Sequence, residues 1–290
     1  MNDLKTSLKT EGWLRGRVIV VTGAARGIGR ACVEVLASEG ASLFLVDSGC
    51  DLEGLGQDAS LVEALQRDLS ARGVLSDASA EDITSPGVVA SIIERTTARF
   101  GRIDGVVHAA GLWADHSVLR IDGALLDRVI ATQLTAAFAL VRHAGEAMVA
   151  QKSGSIVLFA GTSAFFGARG HSAMGAAQAG VVALARTAAL ELRRHHVSVN
   201  AVCPTARTRQ TEQLPTFAAI DPASMSPEHV ARVVAFLLSE RARDVHGEAV
   251  GVAGSRVYAV RARETPGAFG EGPPLSLEAL GELWPTAIRA

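Results

Sequence analysis

Seven residues near the start of the chain, Gly23-Ala24-Ala25-Arg26-Gly27-Ile28-Gly29, have the composition of a phosphate cradle. Glycines in a tight turn let a pyrophosphate approach the backbone, and a helix that begins at the turn aims its free N–H groups at the same anion. An acid, Asp47, stands 18 residues after Gly29. A carboxylate at that spacing, at the end of the next strand, can accept hydrogen bonds from both ribose hydroxyls of NAD(H). It would repel the 2′-phosphate of NADP(H), so NAD(H) is the expected cofactor. Arg26 is open between a phosphate contact and a solvated loop charge.

These groups work only if a strand, a turn and a helix position them. Residues 17–22 (RVIVVT) form a β-branched run, the glycines follow, and residues 28–37 are apolar at helical spacing. Residues 42–47 (SLFLVD) read as a second buried strand. Residues 48–60 read as a local insertion, with a helix around 60–71. Asp82-Ile83-Thr84 reads as the end of a third strand. Ser85 and Pro86 look like the N-cap and first position of a helix reaching Phe100. Strands are expected at 104–110, 155–160, 197–202 and 248–252, and long helices at 121–150 and 172–194. Ser226-Pro227-Glu228 starts a further helix to Leu238. Strands alternating with helices of this length predict an α/β fold: a Rossmann-like, doubly wound, parallel seven-stranded sheet in a single domain. The expected layout is an N-terminal extension (1–16), the dinucleotide-binding domain (17–254) and a Pro/Gly-rich tail packed on it (255–290).

The turn TGAARGIG followed by Asp47 resembles the short-chain dehydrogenase/reductase (SDR) family, and the likeness runs over nearly the whole chain. The resemblance implies that Asp82 and Ile83 contact adenine. His108-Ala109-Ala110-Gly111 stands where the family has Asn-Asn-Ala-Gly, so Ala110 and Gly111 keep the close approach to the cofactor. Val199 to Pro204 match the strand-six motif, with Thr205 in place of the usual Gly. Thr208 falls where a family threonine contacts the nicotinamide amide. The implied cofactor set is Gly23, Arg26, Gly27, Ile28, Gly29, Asp47, Asp82, Ile83, Ala110, Gly111 and Thr208. Residues 204–215, the C-terminal stretch and the insertion after Asp47 are similar to bacterial proteins akin to the hydroxyacyl-CoA dehydrogenase domain of peroxisomal multifunctional enzymes. That likeness implies acyl-CoA or steroid-side-chain catabolism.

The family moves a proton with a Tyr whose pKa is lowered by a Lys four residues on, aided by a Ser and an Asn. Here those positions hold Met174, Gln178, Gly161 and Gln133. Methionine has no proton to give, and glutamine brings no positive charge to lower a neighbour's pKa. The chain has one tyrosine, Tyr258, and Lys152 is its only lysine beyond residue 9. No shifted copy of the Tyr/Lys pair can exist, so no catalytic residue is expected by the usual mechanism. His171, three residues before Met174, is the nearest substitute acid or base. Ser172, Thr162 and Ser163 lie nearby in sequence, Asp115 and His116 read as a polar surface loop, and Phe165-Phe166 reads as a lining of an apolar pocket or a loop packing pair. Three readings follow. The first is a non-catalytic subunit of a hetero-oligomeric hydroxyacyl-CoA or similar dehydrogenase. It would pair with an intact SDR paralogue, or with itself, through helices 121–150 and 172–190. The second is an NAD-dependent alcohol/ketone oxidoreductase with a substrate-assisted proton donor. The third is a ligand-binding module or non-redox enzyme on the same scaffold.

Bulk properties narrow the partners. Apolar residues make up 48% and charged residues 20%, with a net charge of −2. A large core follows, and no basic field draws nucleic acid or an anionic membrane. Aromatic residues are only 4%, so Ala, Val, Leu and Ile must fill that core. Three cysteines without a C-x-x-C, and a polar N-terminus, make a reduced cytoplasm the expected location. His195 and His196 are adjacent rather than a helical turn apart, so no metal site is expected. No uninterrupted apolar run reaches the ~20 residues of a membrane span.

Overall fold

A computed structural model describes residues 12–217, 220–270 and 274–288. It divides into two compact units, Met1–Val260 and Arg261–Ala290. The first holds the whole sheet. Its strands are β1 (Val18–Thr22), β2 (Ser42–Val46), β3 (Ser76–Ser79), β4 (Gly105–His108), β5 (Gly154–Phe159), β6 (Val197–Thr205), β7 (Ala249–Ala253) and β8 (Arg256–Ala259). Their spatial order is β3-β2-β1-β4-β5-β6-β7-β8. The chain winds outward from β1 to β3, then returns to lay β4 beside β1 and winds the other way. Those two central strands splay their connections to opposite faces and open a crevice at their carboxyl ends.

Every residue of β1 is buried. Alternation splits the buried side chains between two layers. Val20, Phe44, Val106, Ile156 and Leu158 face one side, packed with Ile92, Leu140, Met148 and Val181. Ile19, Val21, Leu43, Leu45 and Val107 face the other, packed with Val33, Leu36, Leu65, Leu69 and Val234. The first layer belongs to helices α3 (Val88–Phe100), α5 (Ala136–Gln151) and α7 (Ser172–Leu192). The second belongs to α1 (Gly27–Ser38), α2 (Ala59–Ala71) and α8 (Pro227–Leu237). Helices on both faces of a parallel sheet make the fold doubly wound, as expected.

Several boundaries differ from the sequence reading. The sheet has eight strands, not seven: Arg256–Ala259, placed in the tail, pairs antiparallel with β7. The pair Gly254-Ser255 makes the tight turn, with Gly254 at φ 55°, and the ring of Tyr258 fills the space left by Gly251 opposite. The third strand is Ser76–Ser79, ahead of Asp82, and its four residues SDAS carry almost no apolar signal. α3 begins at Val88 rather than Pro86. The carboxylate of Asp82 first caps the amide and hydroxyl of Thr84, and Gly87, left-handed at φ 79°, precedes the helix. Residues 12–16, counted in the extension, belong to the domain: Leu14 is fully buried and the amide of Trp13 donates to Glu39. The remainder of the extension lies outside the described residues.

The long helix expected over 121–150 comes in three pieces. α4 (Gly123–Ile130) runs into a π-helical turn (Ala131–Thr135) and then α5. A π turn inserts one residue and locally redirects side chains. Gly123–Gln151 and Ser172–His195 are long and apolar enough in average to cross a bilayer. Polar residues interrupt both, so neither shows as a continuous apolar run, and their buried faces instead pack on the sheet. Short α6 (Ser163–Phe166) links β5 to α7. In the second unit, α9 (Leu277–Ala287) is capped by the Ser276 hydroxyl.

Candidate functional site

The crevice between β1 and β4 is a cavity of about 420 Å³. All eleven residues expected to touch the cofactor line it: Gly23, Arg26, Gly27, Ile28, Gly29, Asp47, Asp82, Ile83, Ala110, Gly111 and Thr208. The glycine turn is built for close approach. A Cβ on Gly29 would lie on the Gly23 carbonyl, and a Cβ on Gly23 would come within 2.6 Å of the Ala110 amide. Gly27 opens α1 at φ 54°, and no side chain caps the first amides of that helix. An anion can therefore reach them. Asp47 follows β2 directly. One carboxylate oxygen accepts from the Ala25 amide and the other from the Gly49 amide, both at 2.8 Å. Each oxygen keeps a free lone pair for a ribose hydroxyl. These residues fit the adenine, ribose and pyrophosphate parts of a nicotinamide dinucleotide.

Arg26 does not reach into solvent. It donates to the Cys50 carbonyl at 2.5 Å, and its Nε is buried without a partner. Arg209, on the loop after β6, reaches the same carbonyl at 3.4 Å. Burial, then the neighbouring Arg26 charge, pulls the Arg209 pKa down. The loop 48–58 that carries Cys50 roofs this side of the crevice. Leu52 accepts from the Trp113 amide at 2.8 Å, and Arg128 donates to the Glu53 carbonyl at 2.9 Å. On the opposite wall Gln210 donates to the Gly111 carbonyl at 3.1 Å. Arg209 and Gln210 escaped the sequence reading, although both adjoin Thr208 and could have been found from that neighbour.

The catalytic positions are not on the cavity wall. Gln133 sits in the π turn and donates to the Leu112 carbonyl at 3.0 Å. Met174 is only 2% exposed, packed in a cluster with Leu112, Ala114, Leu125, Val129 and Ala177. Gln178 accepts a hydrogen bond from the Ser163 hydroxyl at 2.8 Å. A Cβ at Gly161 would meet the same Gln178 Oε1 at 2.6 Å. Side chains thus meet one another where the family keeps Ser, Tyr and Lys. His171 stands edge-on to Trp113 at 5.0 Å. Its ring makes no hydrogen bond among the described residues, so nothing orients it as a general acid or base. Nearby, His116 pairs with Glu53 at 3.6 Å, both half exposed, and its amide donates to the Gly170 carbonyl. This is the polar surface loop that the sequence suggested.

His108, which stands where the family has an asparagine, ties three elements together. Its Nε2–H donates to the Thr132 carbonyl at 3.0 Å, and its Nδ1 accepts from the Thr22 hydroxyl at 2.8 Å. Thr22 in turn accepts from the Ala110 amide at 3.3 Å. Burial drives the His108 pKa down to about 4, against hydrogen bonds to the backbone of Thr132 and Gln133. The neutral ring holds the π turn against the ends of β1 and β4.

Comparison with known proteins places these features in context. A family model described as enoyl-(acyl carrier protein) reductase matches residues 23–254. A short-chain type dehydrogenase/reductase of Mycobacterium tuberculosis is 31% identical over 93% of this chain and 93% of its own length. A (3R)-3-hydroxyacyl-CoA dehydrogenase from dog is 34% identical, over 83% of this chain and 96% of its own. The mouse peroxisomal multifunctional enzyme type 2 is 29% identical over 93% of this chain, which spans 36% of that longer protein. A crystal structure of a short-chain dehydrogenase from Mycobacterium avium superposes with a TM-score of 0.83 at 31% identity, covering 95% of this chain and 96% of that one.

Proposed function

The chain belongs to the short-chain dehydrogenase/reductase family, and on that premise we propose that it binds NAD(H) without turning substrate over by the family's Tyr/Lys route. Its role is that of a non-catalytic subunit in a hydroxyacyl-CoA dehydrogenase or similar assembly, beside an intact paralogue. The observation that carries this reading is the Ser163–Gln178 hydrogen bond over a buried Met174. Neither the Met174 thioether nor the Gln178 amide can serve as a general acid or base toward an alcohol, and the Ser163 hydroxyl is spent on Gln178. The glycine cradle and Asp47, in contrast, keep every feature a dinucleotide needs at its adenine end, and Asp47 favours NAD(H) over NADP(H). The hydroxyacyl-CoA relatives supply the substrate class of the assembly. Phe138 on α5 and Leu190 on α7 are 59% and 80% exposed, and they supply apolar anchors for a partner's matching helices.

The test is co-expression with an intact paralogue, followed by affinity purification and (3R)-hydroxyacyl-CoA oxidation assays. The expected result is a mixed oligomer in which the intact chain provides all turnover, and Phe138→Asp with Leu190→Asp releases it. A homo-oligomer of this chain that oxidises hydroxyacyl-CoA by itself would overturn the reading.

A further inference from the structure

At the end of the sheet opposite the nucleotide crevice lies a second cavity of about 560 Å³. Its walls come from the amino ends of the strands and the turns that feed them. Arg17 precedes β1, Lys152 and Ser153 precede β5, Arg193 and His196 precede β6, and residues 237–246 follow α8. Four cations and two carboxylates line it. Glu240 is taken by Arg17, and Asp244 by Arg243 at 3.7 Å. Lys152 and Arg193 have no carboxylate partner among the described residues. The Nδ1 of His246 is buried there without a hydrogen-bond partner.

Two further observations mark this cavity. Lys152 and His196 are the only non-glycine residues at positive φ among the described ones, at 56° and 58°, and both are on its wall. Both are C-cap positions, closing α5 and the turn after α7, and left-handed backbone is a common helix ending. The floor is also polar inside an otherwise aliphatic sheet. Buried Ser198 donates to buried Ser155 at 2.8 Å, and Ser155 donates to the Leu237 carbonyl at 2.9 Å.

We propose that this cavity is a second ligand site, for a small phosphorylated molecule held by Lys152 and Arg193. An ammonium and a guanidinium beside one opening are phosphate donors, and both carboxylates of the wall already face an arginine. The volume exceeds that of a single phosphate and falls in the range of small-molecule sites.

Calorimetric titration of the full-length protein with inorganic pyrophosphate, at low ionic strength, tests this. With NADH saturating the nucleotide cradle, one site per chain is expected. Lys152→Gly with Arg193→Gln should weaken it at least tenfold, because glycine suits the left-handed turn and the exposed helix end tolerates glutamine. Gly27→Asp, in the nucleotide turn, should leave it unchanged. Parallel titration with ribose 5-phosphate separates the sources: tighter binding than pyrophosphate assigns a phosphate ester, weaker binding assigns the free anion. Should the double variant fail to fold, Arg193→Gln alone and Lys152→Gly alone each carry the test, with losses of several-fold expected. Wild-type affinity in these variants, loss of binding in Gly27→Asp, or no binding of either probe would overturn the proposal.

Discussion

The hydroxyl of Ser163 donates to Oε1 of Gln178 at 2.8 Å, and that oxygen lies where a side chain at Gly161 would have to begin. The loss of the family serine and the loss of the family lysine are therefore one structural event. Gly161 leaves room for Gln178, and Gln178 finds its partner in Ser163 instead of a substrate or cofactor. A serine at 161 would have to displace the Gln178 amide from its bond to Ser163.

This coupling is measurable. Gly161→Ser alone should destabilise the fold by about 1 kcal/mol, as the Gln178 amide swings away and loses its bond to Ser163. Gly161→Ser combined with Gln178→Ala should recover most of that, giving a coupling on the order of 1 kcal/mol or more in a double-mutant cycle. Denaturant titrations of the four proteins decide it, and additive losses would sink the idea. The triple variant Gly161→Ser, Met174→Tyr, Gln178→Lys carries the argument into function. Appearance of (3R)-hydroxyacyl-CoA oxidation would show that a substrate pocket persists beside the repaired residues.

Nucleotide binding should depend on Gly27 and Asp47 in different ways. Gly27 faces the methyl group of Thr208 across the turn, 3.6 Å from where its own Cβ would stand. Gly27→Asp places a carboxylate in the phosphate cradle and should abolish NADH fluorescence enhancement while the melting temperature falls only modestly. Asp47→Ala should weaken NADH by roughly tenfold, about 1.4 kcal/mol, and narrow its margin over NADPH. Equal and weak binding by wild type and both variants would mean that the cradle holds no dinucleotide.

The buried His108 predicts a pH dependence of stability. Its folded pKa lies near 4, below the ordinary value of 6.5, so the folded state resists the proton that the unfolded chain accepts. Its contribution is complete above pH 6.5. It falls away as pH drops through the window from 6.5 to 4, by about 3 kcal/mol in total. His108→Asn, which restores the family residue and does not titrate, should flatten that slope in urea unfolding followed between pH 4 and 7. An unchanged slope would refute the assignment.

Legibility followed the physics of each element. β1 and β2 are runs of Val, Ile, Leu and Phe buried on both faces, and such runs announce a central parallel strand. β3 is the edge strand SDAS, held by pairing with β2 rather than by its own apolar side chains, so periodicity missed it. β8 was hidden in a Gly- and Pro-rich tail because its burial is slight and its stability comes from the β7 ladder. The cofactor residues were readable because the cradle is local: turn, helix start and strand-end acid lie within one βαβ unit. Arg209 and Gln210 meet the crevice from a distant part of the chain, and the insertion 48–58, although local, carries no pattern that shows it folding over the crevice.

The sequence by itself determined the absence of the usual chemistry, since a chain with one tyrosine at 258 and no lysine beyond 152 has nothing to assemble. It also determined the dinucleotide turn, because glycine spacing and a strand-end acid are short-range features. Only the tertiary structure decided what occupies the vacated positions: a buried methionine, a glutamine bound to Ser163, and a neutral histidine pinning a π turn against β1 and β4. The reason is that these contacts join residues tens of positions apart. Their energies depend on packing and burial, and neither exists until the sheet has brought the strand ends together.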